Sequence, residues 1–138
     1  MRTAKTIYLA SSCLRWCLAI TFLSAVADRF GLWGPNGSKY ASWGDWSHFV
    51  AYSSGLNWFL PASLQSPMAA LATALETTIA IALLVPRWAR VAAASAAILL
   101  TLFALAMAMA NGIKSPLNYS VFVDAAAAFL LYAVLSPA

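Results

Sequence analysis

The chain has 138 residues, 63% of them hydrophobic and only 9% charged, with a formal charge of +4 and a mean hydropathy of +0.79. A water-soluble domain carries about 25% charged residues, so polar surface is too scarce here for a soluble enzyme or a nucleic-acid binder. A single integral membrane domain over residues 1–138 is expected, with the lipid bilayer as its main partner.

A hydrocarbon core about 30 Å thick needs roughly 20 residues of helix. The first apolar run, "IYLASSCLRWCLAITFLSAVADRFG", supplies a span over 7–27. It is full length and further spans follow, unlike a secretory signal with its cleavage site. A long external loop, 28–66, comes next. Its "GPNGS" reads as a turn. "SWGDWSHFVAY" reads as a short amphipathic helix over 43–53, with Ser42 as N-cap, Asp45 in the first turn and an end near Gly55. Four of the six tryptophans (Trp33, Trp43, Trp46, Trp58) lie in this loop, with Tyr40, Tyr52 and Phe59. Such rings settle at the membrane–water interface, so the loop is expected to cap the bundle or to form a lid over a pocket.

Three further spans are expected at 67–85, 91–110 and 119–135. "AAASAAILLTLFALAMAMA" is apolar all round, without the alternation of a membrane β-barrel. The expected fold is therefore all-α: an integral membrane four-helix bundle whose external loop carries a short interfacial helix. Pro61, Pro67, Pro86 and Pro116 fall at or outside span ends, so no span is expected to be interrupted.

Basic residues near span ends set orientation. Arg2, Lys5, Arg87 and Arg90 lie on one side, against Arg29, Lys39 and Lys114 spread over longer sequence on the other. Both termini and the 86–90 turn are thus expected on the cytoplasmic side.

The informative residues are charges at membrane depth: Arg15, Glu76 and Asp124, with Asp28 at the outer end of the first span. Arg and Asp at the centre of a span each cost about 2.5–3.5 kcal/mol, so they are expected to have partners or a polar cavity. If span midpoints are level, Arg15 and Glu76 lie at one depth and pair, with Asp124 joining them directly or through water. Small residues around Glu76 (Ala69, Ala72, Thr73, Ala80) and Asp124 (Ser120, Ala127, Ala128) point both acids inward. Cys13 and Cys17 lie nearly opposite Arg15 on a helical wheel and are expected to pack as small hydrophobes. His48 stands beside Asp45 and one turn from Tyr52; it reads as an interfacial residue or as a proton carrier. With one histidine and no carboxylate cluster, no metal site is expected.

"LRWCLAITFLSAVADRFG" resembles the first span of DoxX-like membrane proteins, and "ALETTIAIALLVPRWARVAA" their second span with its Glu and basic turn. "WGDWSHFVAYSSGLNWFLP" and "GIKSPLNYSVF" are similar to one branch of that family. The resemblance covers nearly the whole chain. It implies a four-helix protein of the bacterial inner membrane linked to respiratory or redox systems, with Arg15 and Glu76 at the family's charged positions.

Two functions follow as expectations. One is a quinone-interacting or redox-associated subunit, belonging to a quinone-linked oxidoreductase with a redox partner subunit. In it Arg15, Glu76 and Asp124 form the proton and ligand cluster, and Arg15, Glu76, Asp28, His48 and Trp46 bind the quinone. The alternative is a non-catalytic scaffold or assembly subunit, built on small helix-facing residues and able to self-associate.

Overall fold

The structure is a computed structural model and describes residues 2–135; Met1 and residues 136–138 of the expected domain lie outside the described residues. Among the described residues six helices follow one another: α1 (Arg2–Arg29), α2 (Trp46–Leu56), α3 (Ala62–Leu84), α4 (Ala89–Asn111), α5 (Lys114–Asn118) and α6 (Val121–Val134). There is no strand among the described residues. By length and composition α1, α3 and α4 can each cross a membrane, while α6 is a shorter apolar helix. At 1.5 Å per residue its 14 residues reach about 21 Å.

The shortness of α6 has a local cause. Ser120 takes a left-handed conformation, φ 57°, which no continuous helix of L-residues accommodates. The chain therefore makes the short α5, turns at Tyr119–Ser120 and starts again at Val121, so helix does not fill the expected 119–135 span. A second departure is at Pro67, which lies inside α3 because that helix begins at Ala62. In the second turn the proline removes only the bond its N–H would have given to the Ser63 carbonyl.

The core is built on small residues. Ala19, Ala80, Ala93, Ala96 and Ala128 are fully buried and let α1, α3, α4 and α6 approach closely around Phe22, Leu83, Leu100 and Leu131. The outward faces are apolar too: Ile20, Ile81, Ile98, Leu102, Phe129 and Leu130 are exposed. A helix apolar on all sides belongs in lipid.

The bundle has two distinct ends. At the turn end, Val85–Trp88 joins α3 to α4, and the Arg90 guanidinium donates to the Leu135 carbonyl at the end of α6, 3.0 Å, over the Tyr132 ring. At the loop end, residues 30–61 fold over the helices, with α2 packed on α3 and α4. α1 is longer than its partners need. Thr3 to Ala10 are exposed on every face, so its first turns project past the turn end.

Helix α2 begins later than the loop sequence suggests. Its N-cap is Asp45, whose Oδ1 accepts from the His48 N–H at 2.9 Å, rather than Ser42. The reason is tertiary. The amides of Ser42 and Trp43 are both taken by Asp28 Oδ2, at 2.9 Å each, which holds these residues outside the helix.

Candidate functional site

The buried charges at the loop end are Arg29, Glu76 and Asp28, each at most 4% exposed. Arg29 closes α1 and Glu76 lies on the inward face of α3. The Arg29 Nη2 donates to both oxygens of Glu76, at 2.8 and 2.6 Å, and Nη1 donates to the Thr73 hydroxyl at 2.6 Å. Thr73 stands one turn before Glu76, and its hydroxyl donates to the Ala69 carbonyl at 2.9 Å. That hydroxyl thus accepts from Arg29 and donates to its own helix.

Helix α2 completes the arrangement. The Phe49 ring lies 3.8 Å from the guanidinium carbon and the Trp43 ring 5.5 Å, both within cation–π range. Trp43 meets Phe49 edge-on, and Trp46 stacks on Phe30. One guanidinium thus ties together α1, α3 and the loop helix.

The expected Arg15–Glu76 pair is not formed. Arg15 donates from Nε to the Leu83 carbonyl, 2.8 Å, and from Nη2 to the Leu84 carbonyl, 3.1 Å. These are among the last carbonyls of α3, which have no partner within the helix, and a cation at that end also suits the helix dipole. The expectation took the midpoints of the two spans as level. Because α1 projects beyond the turn end, Arg15 meets the end of α3 instead, and Arg29 reaches the depth of Glu76. From sequence Arg29 stands out only as one of the basic residues on the loop side. The signal for it was present: Glu76 needs a cation, and Arg29 falls fourteen residues, nearly four turns, after Arg15 on a similar face.

The other expected residues are scattered. Asp124 lies in the first turn of α6; its side chain has no hydrogen bond or ion pair among the described residues, so it does not join the cluster. His48 is exposed on α2, with Nδ1 2.8 Å from Asp45 Oδ2. Hydrogen bonds from the His48 backbone N–H, the Ser47 hydroxyl and the His48 ring hold the Asp45 carboxyl down at about 2. Trp46 is engaged with Phe30 and Phe49. Cys13 and Cys17, expected to be packed, are free thiols exposed on the outer face of α1. Once Arg15 faces α3, the opposite side of α1 is turned outward.

Beside Asp28 the loop and α1 enclose an open crevice of about 360 Å³, walled by Thr21, Ser24, Trp33, Tyr40 and Trp43. The Trp33 indole N–H donates to the Ser24 carbonyl, 3.1 Å, fixing one wall.

The family model for methylamine utilisation protein MauE matches residues 6–118, more than four-fifths of the chain. The chain belongs to the MauE family. This corrects the DoxX-like resemblance: the matching family is MauE, and no DoxX-like family matches. A Glu in an apolar helix, a basic turn and a charged helix end are features that unrelated four-helix membrane sequences share, so they could not separate the two. The match takes in α1 to α5, and with them every residue of the Arg29–Glu76 cluster and the crevice; α6 with Asp124 lies beyond it. No curated protein and no solved structure matches the chain.

Proposed function

We propose that this MauE-family protein is a membrane-embedded accessory subunit of a redox system, of the kind the family's name ties to methylamine utilisation. It acts by presenting its ordered loop end to a partner protein rather than by chemistry inside the bundle. The observation that supports this is the use to which the buried charges are put. Arg15 caps α3, while Arg29 binds Glu76 through Nη2 and Thr73 through Nη1. Of these four only Arg29 keeps a buried polar atom without a partner, its Nε, so the ion pair itself is engaged in holding the loop end together. Both termini on the cytoplasmic side of a bacterial inner membrane is the orientation that the basic turn end supports.

A quinone-binding role is the second reading, and the crevice favours it: hydroxyls of Thr21, Ser24 and Tyr40 beside aromatic rings suit a polar head with an apolar tail. In this form the reading no longer employs Arg15 or Glu76.

The test is purification from native membranes in mild detergent, followed by protein and small-molecule mass spectrometry. A stoichiometric redox protein without quinone is the expected result. A stoichiometric quinone replaces the accessory reading with the second one. Recovery of the chain with neither overturns both.

A further inference from the structure

Asp28 stands apart from the charges around it. Its Oδ2 accepts two backbone N–H bonds, from Ser42 and Trp43, but Oδ1 is buried without a partner. The ion pairs among the described residues are Arg29–Glu76 and His48–Asp45, so no cation answers Asp28. The neighbouring guanidinium of Arg29 binds Thr73 and Glu76 through its two Nη atoms and forms no ion pair with Asp28; its Nε is buried without a partner. Two carboxyl groups, Asp28 and Glu76, thus stand beside a single guanidinium, which pairs with one of them. Buried charges are ordinarily paired, and an unsatisfied buried acceptor carries a cost of its own.

What faces this carboxylate is a crevice and not a packed core. Its volume of about 360 Å³ falls within the range of small-molecule sites. Three aromatic residues, Trp33, Tyr40 and Trp43, line it with Asp28, and aromatic faces attract cations. The Thr21 hydroxyl donates to the Cys17 carbonyl at 2.9 Å, which leaves its lone pairs free to accept. Asp28 also lies in the last turn of α1, where the helix dipole favours positive charge. An ammonium group is already found beside one of these rings: Lys39 Nζ lies 5.3 Å from the Tyr40 ring centroid, and it forms no ion pair there.

We propose that this crevice binds a protonated amine, either a free alkylammonium ion or the ammonium of a lipid headgroup. The ligand carries at least one N–H, because Oδ1 is an acceptor in need of a donor. Its nitrogen enters between Ser42 and Tyr40, both exposed at the rim, and meets Oδ1 once these side chains part; its alkyl portion lies against Trp33 and Trp43. A neutral molecule of the same size lacks both the charge that balances Asp28 and the attraction to the rings. This proposal is independent of the accessory role and of the quinone reading.

The test has two arms on the full-length protein. In detergent, methylammonium chloride is titrated calorimetrically, with methanol and tetramethylammonium chloride as controls. In nanodiscs of phosphatidylethanolamine or phosphatidylglycerol, retained lipid is read by native mass spectrometry. Methylammonium is expected to bind, tetramethylammonium more weakly and methanol not at all. Asp28→Asn is expected to weaken binding by about tenfold or more, a factor equivalent to about 1.4 kcal/mol. Because Asp28 also holds the loop amides, Tyr40→Ala serves as a second variant; that side chain is 72% exposed, and its loss is expected to weaken binding several-fold with helicity unchanged. Selective retention of phosphatidylethanolamine, lost in Asp28→Asn, identifies a headgroup as the source; binding in the first arm alone identifies a soluble amine. Failure of both amines, or binding indifferent to both variants, overturns the proposal. So does binding that appears only after Lys39→Gln, which would assign the site to the chain's own lysine.

Discussion

Arg29 and Glu76, 47 positions apart in the chain, meet through contacts of 2.6 and 2.8 Å with side chains only 4% and 2% exposed. Removing one member of such a pair strands the other charge in a medium that cannot solvate it, which typically costs about 3–5 kcal/mol. Arg29→Met and Glu76→Gln are each expected to destabilise the protein on that scale. The double variant should be less damaged than the sum of the two, because no lone charge remains. Unfolding titrations of the four proteins in detergent give the coupling energy directly; strict additivity would show that the pair is incidental.

Arg15 belongs to a different unit. Its two hydrogen bonds go to the terminal carbonyls of α3, so Arg15→Ala should cost about 2 kcal/mol, the scale of charge-assisted hydrogen bonds. The same double-mutant scheme with Glu76→Gln is expected to return a coupling near zero. A large coupling between Arg15 and Glu76 would restore the pairing inferred from span midpoints and contradict the geometry described above.

These two arginines mark where the sequence could be read and where it could not. The spans around Ala19, Ala80 and Ala96 are legible because continuous apolar runs have few other uses, and the small residues near Glu76 correctly point it inward. The axial shift of one helix against another leaves no such trace. It depends on how far α1 projects past its neighbours, and that shift decides whether Arg15 or Arg29 reaches Glu76. The cysteines follow from the same choice of face. Asp28 is harder still, since its partners, the Ser42 and Trp43 amides, lie across a loop whose path is set by turns rather than by periodicity.

Asp45 supplies a pH-dependent contribution whose sign can be worked out. Its carboxyl is held at about 2 in the folded protein, against an ordinary value of 3.8. A lowered value means that the folded state binds the proton less readily than the unfolded one. The cap is therefore fully effective above about pH 4 and is lost as the pH falls toward 2. Protection of the His48 and Phe49 amides is expected to decline across that window. In Asp45→Asn, which keeps an acceptor oxygen but has no carboxyl to titrate, the decline should be absent. An identical pH profile in both proteins would assign the change to another group.

The loop that buries Asp28 depends on close backbone contact at Gly44. This residue has φ +75°, and a Cβ there would collide with the backbone of Pro35 and Asn36. Backbone atoms cannot turn aside as a side chain can, so Gly44→Ala must spread the two strands of the loop apart. That movement would break the bond from Asn36 Nδ2 to the Trp43 carbonyl, 2.8 Å, and draw the Ser42 and Trp43 amides away from Asp28. Gly37 is the control. Its φ is +83°, but open space surrounds its Cβ position, so Gly37→Ala carries only the left-handed backbone cost of about 1–2 kcal/mol. Trypsin cleavage after Lys39, which lies between the two glycines, reads the difference. Gly44→Ala is expected to be cut much faster than the parent protein and Gly37→Ala only slightly faster. Equal rates in the two variants would mean that the loop does not pack on itself at Gly44, and the burial of Asp28 would need another explanation.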